Sequence, residues 1–190
     1  MRRASEHERN GDGRLTRGGV GTTASLRVTA FAALLLLLSA CSGGRTPTVP
    51  AVEEISEPMP ALSGQVLTGG TLARNDYAGR VTVVNFWATT CAPCVREMPL
   101  LASLHDGADG AFVVGVNYRE GAAIAREFAQ ELDVAYPSVR DADGSLAHRF
   151  GVPFLPTTFV IDGDGQMRFK VMGEIDAVTL ERLVDDVRTA

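Results

Sequence analysis

Cysteine is scarce here, with three in 190 residues. That excludes a small scaffold stapled by several disulfides. Histidine is equally rare. After residue 40 only His105 and His148 accompany the cysteines, and a structural zinc site needs about four ligands, so no metal is expected. There is no Cys-x-x-Cys-His, which removes the signal for covalent haem attachment, and no cofactor is expected. The N-terminal apolar run, Val28 to Leu38, falls short of the ~20 residues of a membrane-spanning helix. Basic charge is also in the minority: the chain carries a net charge of −5. Residues 1–40 hold six arginines against three acids, so removing that +3 from the −5 leaves −8 for the remainder. An acidic domain is a poor partner for nucleic acid.

Two of the three cysteines frame Trp87-Ala88-Thr89-Thr90-Cys91-Ala92-Pro93-Cys94. This stretch follows an apolar run, Val81 to Phe86, with the pattern of a buried strand, and precedes a helical segment, Val95 to Leu101. Residues three apart on a helix share a face, so the two sulfurs can close a disulfide. The first cysteine falls at the helix N-terminus, where unpaired N–H groups and the helix dipole favour a thiolate. Only the thiolate attacks a disulfide. A CxxC at a strand-to-helix junction therefore points to thiol–disulfide exchange.

The chain opens with a targeting segment. Arg14, Arg17 and Arg27 precede the apolar run, as in a secretory signal. The run ends in Leu38-Ser39-Ala40-Cys41, which looks like a bacterial lipobox. In such signals the peptidase cuts before the cysteine, which then carries the lipid. Residues 1–40 are accordingly expected to be a lipoprotein signal peptide, with translation starting near Val20 an open alternative. Residues 41–60, with Pro47, Pro50, Pro58 and Pro60, are expected to form a flexible tether. The folded domain is expected over 61–190.

Within that domain, Leu62–Leu67 and Thr71–Leu72 suggest an N-terminal β-hairpin. Strands are expected near 81–87, 111–118 and 157–161, with helices near 92–105, 121–132 and 176–187. Tyr136–Val139 reads as extended, and a short helix follows from Asp143 to Phe150. Asp162-Gly163-Asp164-Gly165 reads as a turn leading into an antiparallel strand, 166–171. The early order requires parallel crossovers and the late order a hairpin. An α/β domain follows, with a mixed central β-sheet flanked by helices.

Val83-Val84-Asn85-Phe86-Trp87-Ala88, Cys91-Ala92-Pro93-Cys94, Glu97-Met98-Pro99 and Leu155-Pro156-Thr157-Thr158-Phe159-Val160-Ile161-Asp162 together look like the TlpA/ResA group of membrane-tethered thioredoxin-like proteins. The resemblance covers roughly 61–190. It implies a thioredoxin fold, with the Glu120–Phe150 segment similar to the insertion that sets this group apart. It implies that Cys91 is the exposed attacking cysteine and Cys94 the shielded resolving one. Pro156 matches a cis-proline facing the disulfide, which exposes the Leu155 backbone for a substrate strand to pair with. Glu97 matches an acid near the active site that could take and give protons. Trp87 is expected to pack beneath the site. Asn85 stands where thioredoxin carries a buried Asp, and Asn cannot titrate. Thr90 departs from the family, which usually has Trp before the first cysteine, so the rim is more polar.

The resemblance further implies an extracytoplasmic thiol–disulfide oxidoreductase, lipid-anchored to the bacterial membrane through Cys41. Its substrates would be exported protein thiols and disulfides, apocytochrome c among them during cytochrome c maturation. A membrane electron donor of the CcdA type would re-reduce it. Ala92 and Pro93 between the cysteines are uncharged, which argues against a potential near roughly −120 mV and toward the reducing half of the scale. Three alternatives differ in chemistry: an oxidase of exported thiols, a redoxin-type peroxidase with Arg96 near its cysteine, and a copper-binding module using Met98. His105 and His148 are expected at the surface.

Overall fold

The computed structural model describes residues 50–107 and 111–189. Cys41, the expected signal peptide 1–40 and residues 41–49 of the expected tether lie outside the described residues. Among the described residues, eight strands run in chain order: β1 Ala51–Pro58, β2 Gly64–Gln65, β3 Thr71–Leu72, β4 Thr82–Trp87, β5 Phe112–Tyr118, β6 Ser138–Asp141, β7 Thr157–Ile161 and β8 Gln166–Met172. The α-helices among them are α1 Ala92–Asp106, α2 Ala122–Glu131, α3 Ser145–Arg149 and α4 Ala177–Thr189. Six strands form one sheet in the order β1-β8-β7-β4-β5-β6. β4, β5 and β6 run parallel, while β7, β8 and β1 are each antiparallel to their neighbours. β2 and β3 pair as a separate hairpin, as expected.

β4 is buried at all six positions. A central strand covered on both faces has no polar side to show, so its sequence reads as a continuous apolar run. Alternation along β4 then divides the core. Val83 and Trp87 face Met98 and Leu101 of α1, Ala125 of α2 and Leu183 of α4. Val84 and Phe86 face Leu62 and Leu72 of the hairpin region, and Leu146 of α3. Burying an aliphatic side chain of this size stabilises the fold by about 2 kcal/mol, so the apolar face of α4, with Leu180, Leu183, Val184 and Val187 buried, is ample reason for it to dock.

The expected domain boundary at Ala61 is corrected. β1 occupies Ala51–Pro58, inside the expected tether, and pairs with β8 from Ala51↔Met172 to Pro58↔Gln166. The strand is exposed at every position except Ile55, which is half-buried. It is held by backbone pairing at a sheet edge, where side chains need not alternate, and charged residues such as Glu53, Glu54 and Glu57 are common on edges. Its sequence therefore carries no strand period. His105 also departs from expectation. It is half-buried, its Nδ1 accepts the Val113 N–H at 3.2 Å, and its ring lies 5.4 Å from Phe112.

Candidate active site

β4 delivers the chain to the top of the sheet and α1 starts immediately beyond it. Cys91 is the N-cap of α1, with extended backbone at φ −90° and ψ 92°. Pro93 sits in the first turn, where its missing N–H would have had no partner within the helix. Cys91 and Cys94 are joined in a disulfide. The Cys94 N–H donates to Cys91 Sγ at 3.4 Å. Negative charge on that sulfur thus meets both a donor and the positive end of a 15-residue helix. The two sulfurs differ in access: Cys94 is wholly buried, whereas Cys91 is half-exposed.

Glu97 lies one turn beyond Cys94 on the same face of α1 and is only 2% exposed. Its Oε1 accepts from Asn85 Nδ2 at 2.7 Å and its Oε2 from the Ile175 N–H at 2.9 Å. Asn85 Nδ2 also donates to Thr158 Oγ1 at 2.9 Å. Burial pushes the Glu97 carboxyl up from 4.5 to about 7; the two hydrogen bonds offset part of that rise, Glu174 adds slightly to it, and Arg96 opposes it. The group therefore changes charge near neutrality, the range in which a proton acceptor for thiols is useful. Beneath it, Tyr136 is buried, and its phenol is pushed up by that burial and by the charge of Glu97.

The loop before β7, the antiparallel neighbour of β4, packs its Leu155 against the core cluster that holds Cys94. The Leu155–Pro156 peptide is cis. Thr157 Oγ1 donates to Phe154 O at 2.7 Å and the Gly173 N–H to Pro156 O at 3.0 Å, fixing the loop from both sides. Leu155 is half-buried and Phe154 is 54% exposed. Thr90 is exposed, as a polar residue on the rim should be. Trp87 is fully buried in one cluster with Cys94 and Met98, and stacks on Phe128 at 6.3 Å.

Of the residues singled out from the sequence, Cys91, Pro93, Cys94 and Glu97 lie at the N-terminal turns of α1, Asn85 and Trp87 on β4, and Leu155 and Pro156 on the cis-proline loop, while Cys41 lies outside the described residues. Sequence reasoning missed Glu120. Its carboxylate accepts from the Thr89 N–H at 2.9 Å, Thr89 Oγ1 at 2.6 Å and Asn117 Nδ2 at 2.6 Å, holding the loop that leads into Cys91. The only sequence signal was an acid just past the end of a strand. Glu174, which takes Arg96 in a forked ion pair, was missed too.

Known proteins resemble this chain in sequence and in fold. The sequence matches the AhpC/TSA family over residues 55–170. The thiol:disulfide interchange protein DsbE of Pseudomonas fluorescens biotype C is 37% identical over 126 residues, 65% of this chain and 70% of that one. The thiol-disulfide oxidoreductase ResA of Bacillus subtilis (strain 168) is 30% identical over 159 residues, covering 80% of this chain and 87% of its own. A solved structure, a secreted thiol-disulfide isomerase from Corynebacterium glutamicum, superposes with a TM-score of 0.62 at 25% identity, over 74% of this chain and 96% of that one. With a mixed sheet, a CxxC disulfide capping α1 and these relatives, the chain belongs to the AhpC/TSA family, as a TlpA/ResA-like thiol–disulfide oxidoreductase of thioredoxin fold.

Proposed function

We propose that the protein reduces disulfides of exported proteins, apocytochrome c among them, through the Cys91–Cys94 pair. In this reading the Cys91 thiolate attacks one sulfur of a substrate disulfide, and the other substrate sulfur leaves as a thiolate. Cys94 loses its proton to Glu97 and attacks Cys91 Sγ. The mixed disulfide breaks, the second substrate thiol departs, and the Cys91–Cys94 disulfide remains. Two electrons pass to the substrate. A membrane dithiol carrier of the CcdA type returns them by the same exchange run in reverse. Leu155 and Pro156 offer backbone beside the sulfurs for the substrate strand.

The observation that carries the assignment is the asymmetry of the pair. Cys91 is half-exposed and accepts the Cys94 N–H, while Cys94 is wholly buried beside Glu97. The lipobox-like Leu38–Cys41 supports a lipid anchor on Cys41 and an extracytoplasmic location. A tether on one segment and the redox pair on another are separable functions. The peroxidase reading gains no support from Arg96, whose guanidinium is engaged by Glu174. Met98, the copper module's sulfur, is wholly buried in the core.

The experiment is a trap. Cys94→Ser should accumulate mixed disulfides with substrate on non-reducing gels, because attack continues and resolution stops. Cys91→Ser should trap nothing. Equal trapping by both variants would reverse the assignment.

A further inference from the structure

Three successive residues after β8 touch both halves of the site. The Gly173 N–H donates to Pro156 O at 3.0 Å and so holds the cis-proline loop. Glu174 takes the Arg96 guanidinium in a fork, with Nε at 3.0 Å from both carboxylate oxygens and Nη2 at 2.6 Å from Oε2. The Ile175 N–H donates to Glu97 Oε2 at 2.9 Å. Arg96 and Glu97 are neighbours on α1, just beyond Cys94. Two consecutive residues of the segment therefore meet two consecutive residues of the cysteine helix, and a third holds the cis-proline loop. Gly173 has φ of +101°, a backbone that favours glycine, and the turn it makes lets the segment face two elements in three residues.

A forked arginine–carboxylate pair fixes orientation as well as distance. At 58% and 35% side-chain exposure, however, this one is well hydrated, and pairs of that kind add little to global stability. Its consequence is local. It adjoins Ile175, whose N–H donates to the Glu97 carboxylate. We propose that Gly173–Ile175 is a clasp that keeps the cysteine helix and the cis-proline loop in register, with Arg96 and Glu174 as its positioning residues.

The clasp also predicts an effect on Glu97. The titrating or charged groups that act on Glu97 are Arg96 on α1, Tyr136 ahead of β6, and Glu174 in the clasp; Cys94, one turn away, is held in the disulfide. Losing the Glu174 carboxylate removes a like charge, which favours the ionised form. Loosening Ile175 takes away a hydrogen bond that favours the ionised form, so the two effects oppose and the Glu97 titration reads their difference.

The test uses the full chain in its oxidised form, where Cys91 and Cys94 do not titrate. In Glu174→Ala the Ile175 amide should exchange hydrogen about fivefold faster, the effect of a loss on the scale of one exposed ion pair, while the core amides of β5 stay as they were. The Glu97 carboxyl titration, followed by carbon-13 NMR, should move from its wild-type position. Arg96→Glu alone should also lose Ile175 protection, and Arg96→Glu combined with Glu174→Arg should regain it. Unchanged Ile175 exchange in Glu174→Ala overturns the clasp, as does a charge-swapped pair no better protected than the single reversal. The clasp itself does not rest on Glu97 acting as proton acceptor. If Ile175 and Glu97 respond while the alkylation profile of reduced Cys91 stays fixed, the clasp stands and the role proposed for Glu97 falls.

Discussion

Replacing Glu97 by glutamine should change how stability depends on pH more than it changes stability itself. In the folded protein the carboxyl titrates at about 7, against 4.5 when unperturbed. Below the lower value both states are protonated and the group contributes nothing. Between the two, the folded state holds a proton that the unfolded state has lost, so stability falls as pH rises. Above about 7 both are ionised and the full penalty stands. That rise corresponds to about 3 kcal/mol, of which about 2.5 kcal/mol falls between about pH 5 and about pH 8.5. Glutamine has no such titration. Its amide can also be accommodated: Asn85 Oδ1 is buried with no partner among the described residues, so a rotated Asn85 amide can accept the new N–H. Urea unfolding of the oxidised chain at both pH values reads the difference, and disulfide bonding keeps the cysteines out of it. The wild-type midpoint should drop by roughly 1–2 M more than that of Glu97→Gln over this interval. Equal drops would mean that the carboxylate is not desolvated in the folded protein, and the argument from burial would fail.

In the reduced protein the same substitution should lower the pKa of Cys91 and flatten the pH dependence of exchange, because an ionised Glu97 disfavours a nearby thiolate; thiol alkylation rate against pH measures this. A chain truncated to begin at Ala61 should be less stable and more prone to aggregate than one beginning at Pro47, since it lacks β1 and leaves the edge of β8 unpaired; thermal unfolding and light scattering compare the two. Gly115→Ala should destabilise by about 1–3 kcal/mol through overpacking, because Ser138 Oγ and Trp87 Nε1 crowd the point where its Cβ would lie. Fluorescence of Trp87, the one tryptophan in the chain, should shift with it.

The parts of the fold legible in the sequence are those whose side chains carry the signal. β4 and β5 are buried on both faces and read as apolar runs, and α4 shows its buried face through Leu180, Leu183, Val184 and Val187. The cysteine pair was legible from spacing, and Pro156 from resemblance. β1 was not, because an edge strand is specified by the backbone of its neighbour and its acids point to water. Glu120 and Glu174 were not, because each acts on a residue 31 or 78 positions away. A carboxylate that anchors a loop across such a distance looks, in sequence, like any solvated acid. His105 misled for the converse reason: a lone histidine near a helix end gives no sign that its ring will lie between Phe112 and Tyr136.

The structure also bears on the direction of exchange. A dithiol becomes a strong oxidant when its reduced form is stabilised, chiefly through the thiolate of the attacking cysteine. Here that thiolate has two stabilisers: the N-terminus of α1 and the Cys94 N–H. Ala92 and Pro93 add no charge between the cysteines. Glu97 works the other way. Once ionised it places a buried negative charge one turn from Cys94, where little water screens it. Its effect on the dithiol should therefore grow as pH rises through about 7, disfavouring thiolate and with it the reduced form. A dithiol so placed gives up its electrons readily, which supports reductase over oxidase. The consequence is measurable as the reduction potential of the Cys91–Cys94 couple. Above about pH 7, Glu97→Gln should shift it toward more oxidising values, and below about pH 5 the two proteins should converge. A wild-type potential that is already strongly oxidising, or an offset between the two proteins that does not change with pH, would refute the electrostatic account.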